Sequence, residues 1–152
     1  MNIATIDERL IAFFRRITIP AARIALFVIF FWFGLLKLIG LSPAGTIVHA
    51  LFDQTLSWLL PFHIFYAAFA VFEMIIGILF LIRGAERVVM PLLVFHMVTT
   101  ALPLFFLTSE TFSSAFVPTL EGQYIIKNLA LMAAAIGIMA HLDPLPRKTK
   151  LS

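Results

Sequence analysis

Four apolar runs, each long enough to cross a bilayer and each broken by an ionisable residue, constrain this chain more than any other feature. Lys37, Glu73, His96 and Lys127 sit one per run, each inside its hydrophobic stretch. A charged side chain at the centre of a bilayer costs about 3 kcal/mol or more. One such residue on each of four helices points to helices that face one another around a polar interior.

Composition agrees. The 152 residues are 62% hydrophobic, and the mean hydropathy is +1.05. A soluble domain is roughly half apolar, so this chain has too little polar surface to coat a globule in water. The expected fold is an all-α integral membrane protein, a four-helix transmembrane bundle in contact with the lipid bilayer. No cysteine is present, which excludes disulfide exchange and thiolate or iron–sulfur ligation by this chain alone. The net charge of +3 reads as basic residues beside membrane spans rather than a nucleic-acid surface, and no nucleic-acid motif accompanies it.

Residues 1–19 alternate apolar and charged positions at helical spacing: Ile3, Ile6, Leu10, Phe13 or Phe14, and Ile17, with Asp7, Glu8, Arg9, Arg15 and Arg16 between them. This pattern predicts an amphipathic helix lying in the membrane interface. Pro20 then suits the first turn of a new helix, where its missing N–H does no harm. The expected spans are residues 20–41, 61–82, 88–108 and 122–142 within a transmembrane domain of residues 20–142, followed by a basic tail, residues 143–152. Each span is close to the ~20 residues that cross the hydrocarbon core.

Lys and Arg set the orientation. They lie before and at the start of the first span, at Arg83 and Arg87 in the second link, and at Arg147, Lys148 and Lys150 in the tail. The connections 42–60 and 109–121 contain none. With four spans all three basic regions fall on one side, which predicts both termini in the cytoplasm. The first outer connection is itself expected to hold a short interfacial or re-entrant helix, with Trp58 at the headgroup boundary.

A rise of roughly 1.5 Å per residue converts position into depth. Lys37 and Lys127 come out roughly 6–8 Å from the outer end of their spans, Glu73 and His96 roughly 18 Å. Two layers result: a lysine pair near the outer face and an acid–imidazole pair near the midplane. His96, Thr99, Thr100 and Pro103 share one stripe of the third span. Pro103 cannot donate to the carbonyl of Thr99, which leaves that oxygen free. Phe30, Phe33 and Gly34 share the face of Lys37, and Ala70 and Gly77 that of Glu73. On the fourth span Gln123, Tyr124, Lys127 and Asn128 form a polar patch, above a small-residue face of Ala130, Ala134 and Gly137 suited to packing. Lys127 lies in the second turn of its helix, where the dipole disfavours a cation, so Glu121, Glu110, Glu73 or a bound ligand is expected to offset it. The plainer alternative is that the lysine stems snorkel to the headgroups. The four histidines fall on different segments and depths, and the sequence carries no signal for haem, metal or flavin.

Four stretches together resemble one family: Phe31-Trp-Phe-Gly-Leu-Leu-Lys37, Glu73-x-x-x-Gly77, Leu102-Pro-Leu104 and Pro118-Thr-Leu-Glu-Gly-Gln-Tyr-Ile-Ile-Lys-Asn128. They are similar to the DoxX-like superfamily of small four-helix membrane proteins, in particular the branch that includes reactive-chlorine-resistance membrane proteins. The resemblance implies a multi-pass protein of the bacterial inner membrane. It also implies a link to oxidative stress or to quinone-dependent oxidoreductase complexes. Relatives with thiol chemistry need cysteines, which this chain lacks.

The first functional expectation is a redox-linked membrane protein that binds a quinone or similar lipophilic ligand. Lys37 and Lys127 would polarise the ligand's oxygens, helped by Tyr124, Asn128, Gln123 and Thr99. Glu73 and His96 would be the catalytic pair that relays protons, with electrons coming from a protein partner or from the ligand. A second expectation is a proton-coupled transporter of a small anion or metabolite, with Glu73 as the coupling carboxylate. A third is a non-catalytic subunit or scaffold of a larger membrane complex.

Overall fold

A computed structural model describes residues 2–145 of the chain. Most of the basic tail, including Arg147, Lys148 and Lys150, lies outside the described residues. The elements run α1 (Ile3–Leu38), α2 (Gly45–Thr55), α3 (Phe62–Leu81), α4 (Glu86–Ala101), α5 (Pro103–Phe106), α6 (Thr108–Thr111), β1 (Phe112–Ser114), β2 (Val117–Pro118) and α7 (Leu120–Met139). Four helical stretches are long and apolar enough to cross a membrane: Ile3–Leu38, Phe62–Leu81, Glu86–Phe106 and Leu120–Met139.

The first departure from expectation is at Pro20. It begins no new helix; α1 runs through it unbroken for 36 residues. Proline in a helix interior removes one ladder bond and crowds the preceding turn. Here Pro20 and Arg16 are both exposed, so the Arg16 carbonyl that loses its partner can be solvated.

The third span departs in the opposite sense. The span expected over 88–108 is present as one membrane-length stretch, Glu86–Phe106, but its ladder is interrupted at Leu102: α4 stops at Ala101 and Pro103 opens the short α5. The Thr99 carbonyl is not left free, because the Leu102 N–H reaches it at 3.3 Å. A tightened i→i+3 bond replaces the one that proline cannot make.

The outer connections are structured. The helix expected between the first two spans is α2, with Phe52 its buried residue. Trp58 stands exposed and donates its indole N–H to the Thr55 carbonyl. The second connection holds a two-stranded antiparallel hairpin that hydrophobic periodicity did not anticipate. It delivers the chain to Thr119, whose hydroxyl caps α7 by accepting from the Gly122 N–H. That N-cap satisfies one of the orphan donors of the first turn.

Close packing is concentrated between α1 and α3, the most extensive helix pair. Gly34 lies against the Ala70 carbonyl and Met74, where a Cβ would come within 2.7 Å of backbone. Gly77 lies against Phe31 and Phe27, where a Cβ would come within 2.8 Å. Small residues at these two levels let the backbones approach, the usual basis of helix association in lipid. Further toward the α3–α4 link a core gathers from all four long helices: Leu26 and Phe30, Ile76 and Phe80, Val89 and Leu93, Ala135 and Ile138.

Two expected faces are corrected. Phe33 is 54% exposed, because the contact stripe of α1 runs through Leu26, Phe30, Gly34 and Lys37. On α7 the buried residues are Gly122, Ala135 and Ile138, and of the expected small-residue face Ala134 does pack against the core. Ala130 is exposed and nothing would meet a Cβ on Gly137.

Candidate functional site

The α1–α3 register decides which ionisable groups meet. The two helices run antiparallel, and the Gly34 and Gly77 contacts set the Lys37 backbone about level with Phe69. That is roughly 10 Å along α3 from its first residue, well beyond the depth expected from segment ends. The Lys37 ammonium sits 5.8 Å from the Phe69 ring centroid and donates to Glu73 Oε2 at 2.6 Å. Glu73 Oε1 faces His96 Nε2 on α4 at 3.3 Å. The residues are 8%, 5% and 3% exposed, respectively. Lys37, Glu73 and His96 therefore form one buried triad rather than two separate layers.

Each member is held from more than one side. Phe30 and Phe69 lie edge-on and tilted against the imidazole, at centroid distances of 5.4 and 5.2 Å, and Phe72 at 6.1 Å. Thr99 and Thr100 both donate to the His96 backbone carbonyl, at 2.8 and 2.9 Å. They hold the turn that carries the imidazole and do not touch the triad's side chains. An ion pair in a medium of low dielectric withstands desolvation only where the geometry is close and the remaining polar atoms are bonded. Glu73 meets this condition with a cation on one oxygen and an imidazole on the other. His96 Nδ1 does not: it is buried and has no hydrogen-bond partner among the described residues. Buried polar atoms are nearly always paired, so an orphan of this kind calls for a functional explanation.

No protein-family model, curated protein or solved structure matches the chain. Its chemistry is read from the triad itself. With its proton on Nε2, toward Glu73, the His96 imidazole would have its acceptor lone pair at Nδ1. The carboxylate orients the ring and stabilises the imidazolium that forms when Nδ1 takes a proton, as in a general-base dyad. Lys37 holds Glu73 in place from the opposite side.

The other expected site residues lie elsewhere. Lys127 is exposed and rests over the Tyr124 ring, 5.1 Å from its centroid. It makes no ion pair among the described residues, and Tyr124 is itself 61% exposed. The Gln123 amide reaches only the Pro118 carbonyl, at 3.5 Å, and Asn128 is half-buried with no hydrogen bond to the triad. The outer lysine pair is thus not formed. α7 packs against α1 and α4 through Ala135 and Ile138, which leaves its polar patch on the outside of the bundle. Because Lys127 contacts only an exposed ring, Lys127→Ala is expected to change stability by less than about 0.5 kcal/mol, read from thermal unfolding in detergent.

Two groups escaped the sequence reading. Arg23 donates to the Phe80 carbonyl at 3.1 Å and pairs with Glu86 at the start of α4. Arg23 looked like one more topology signal. The available clue was Glu86, the lone acid in the basic second link. The Tyr66 hydroxyl, seven residues before Glu73 on the same face of α3, is also buried without a partner. It lies next to Gly45 at the start of α2.

Proposed function

We propose that the chain is a DoxX-like protein of the bacterial inner membrane, with both termini cytoplasmic, that binds a quinone-like lipophilic ligand and exchanges a proton with it at His96. The observation that carries this reading is the buried, unpartnered Nδ1 of His96 beside an ion-paired carboxylate. The hydroxyl of a reduced, hydroquinone-type ligand donates to Nδ1. Proton transfer gives an imidazolium that Glu73 stabilises. The Phe69 and Phe72 rings supply apolar faces for an aromatic ligand. The ligand approaches from lipid between α3 and α4, past Phe72 and Phe95, whose rings pack edge to face at 6.0 Å; the glycine-packed α1–α3 seam is too tight to admit it. Electrons remain with the ligand or pass to a partner protein.

The test is equilibrium binding of ubiquinol and ubiquinone analogues to the purified protein, with photo-crosslinking to locate the site. The expected result is saturable binding, tighter for the quinol, that falls about tenfold or more in His96→Asn. Loss of a hydrogen bond to a charged or polar partner costs about 1.5–3 kcal/mol. No saturable binding, or equal binding in the variant, defeats the proposal.

A further inference from the structure

At the other end of the bundle a cavity of about 470 Å³ opens between α1 and the α3–α4 link. Ile19, Ile24 and Leu81 form apolar walls, and Arg23, Arg83 and Glu86 supply the charge. The two arginines differ. Arg23 is committed, bonded to the Phe80 carbonyl and to Glu86, so its charge and that of Glu86 largely cancel. Arg83 is exposed and has no hydrogen bond or ion pair among the described residues. Its guanidinium is the uncompensated charge of the cavity. Arg16 lies two helical turns before Arg23 on the same face of α1, because that helix continues through Pro20. Arg16 does not line the cavity; it is exposed one turn before the lining residues Ile19 and Pro20.

Location matters as much as charge. The cavity sits where α3 ends and α4 begins, the level at which a bilayer changes from hydrocarbon to headgroup. Apolar walls beside a free guanidinium at that level match an amphiphile with an anionic head. Arg is the side chain best suited to grip a phosphate, through paired N–H donors, and basic pockets between transmembrane helices take acidic lipid headgroups.

We propose that this cavity is a binding site for a phosphate group, with Arg83 as its principal ligand. The apolar walls favour the phosphate of an anionic phospholipid over free phosphate. The site is separate from the triad, none of whose residues lines it; along α3, Glu73 lies about 12 Å before Leu81.

Native mass spectrometry of the full chain, delipidated and then offered phosphatidylglycerol, phosphatidylethanolamine or inorganic phosphate, tests this. The expected result is retention of phosphatidylglycerol over phosphatidylethanolamine, about fivefold weaker in Arg83→Gln. That substitution breaks no hydrogen bond or ion pair among the described residues, and an unchanged melting temperature checks that folding is intact. Arg83-dependent binding of inorganic phosphate, with no preference between the lipids, would keep the phosphate site and assign it a soluble ligand. Equal retention of both lipids without phosphate binding, or retention unaltered in Arg83→Gln, overturns the proposal.

Discussion

Glu73→Ala is expected to destabilise the protein by about 3–5 kcal/mol, the cost of leaving one member of a buried ion pair without its partner. The Lys37 ammonium is the reason. It is 8% exposed, bonds Glu73 at 2.6 Å, makes no other hydrogen bond or ion pair among the described residues, and sits 5.8 Å from the Phe69 ring centroid. Without the carboxylate the buried ammonium has no counter-charge, and relieving it requires opening the α1–α3 seam. The companion variant separates charge from volume. Lys37→Met combined with Glu73→Leu removes both charges and is expected to recover most of the loss, since apolar replacement of a whole buried pair is often neutral or stabilising. Thermal unfolding in detergent, together with the yield of monodisperse protein, reads the series. A Glu73→Ala protein that melts with the native one would mean that the ammonium does not depend on that carboxylate. Quinol binding should be lost in the double variant even where stability returns, because the imidazole then lacks the group that orients it.

Gly77→Leu is expected to do comparable damage by a different route. A Cβ at Gly77 comes within 2.8 Å of the Phe31 backbone nitrogen and 3.1 Å of the Phe27 carbonyl. Neither atom can swing away, so the helices must separate. Overpacking of this kind costs about 1–3 kcal/mol for a small excess of volume, which places Gly77→Ala in that range and Gly77→Leu above it. The displacement also shifts Lys37 relative to Glu73, so the quinol affinity should fall with the stability. Gly137→Ala is the control, because nothing lies within 4 Å of a Cβ there; it should melt like the native protein. Equal tolerance at both glycines would show that the α1–α3 seam is not closely packed.

The two substitutions also separate what was legible in the chain from what was not. Ala70, Glu73 and Gly77 share a face by helical periodicity alone, and all three are buried. His96 and Pro103 were likewise placed on one stripe, and both are buried. Periodicity assigns residues to faces within a helix. It carries no information on how far one helix slides along another, and that offset moved Lys37 from an outer layer into the triad. The same blindness grouped Lys127 with Lys37. Their distances from segment ends were similar, yet α7 turns a different face inward and keeps Lys127 on the outside.

Pro20 and Pro103 illustrate a second gap. The two prolines carry the same local signal, yet one lies inside an unbroken helix and the other follows an interruption of the ladder at Leu102. The difference lies in what surrounds the freed carbonyl. That of Arg16 is on an exposed face, whereas that of Thr99 is taken up by a tightened turn at the end of α4.

Four membrane-length apolar helices, the ionisable residues they carry and which residues share a stripe within each helix can all be read from the chain alone. These are one-dimensional properties, set by hydrophobicity and by the period of the helix. Only the tertiary structure decided that Lys37, Glu73 and His96 meet while Lys127 does not, and that Arg23 closes on Glu86 at the other end. Those outcomes depend on register and rotation between helices. Register and rotation follow from glycine-to-backbone contacts tens of residues apart, so no local stretch of the chain encodes them.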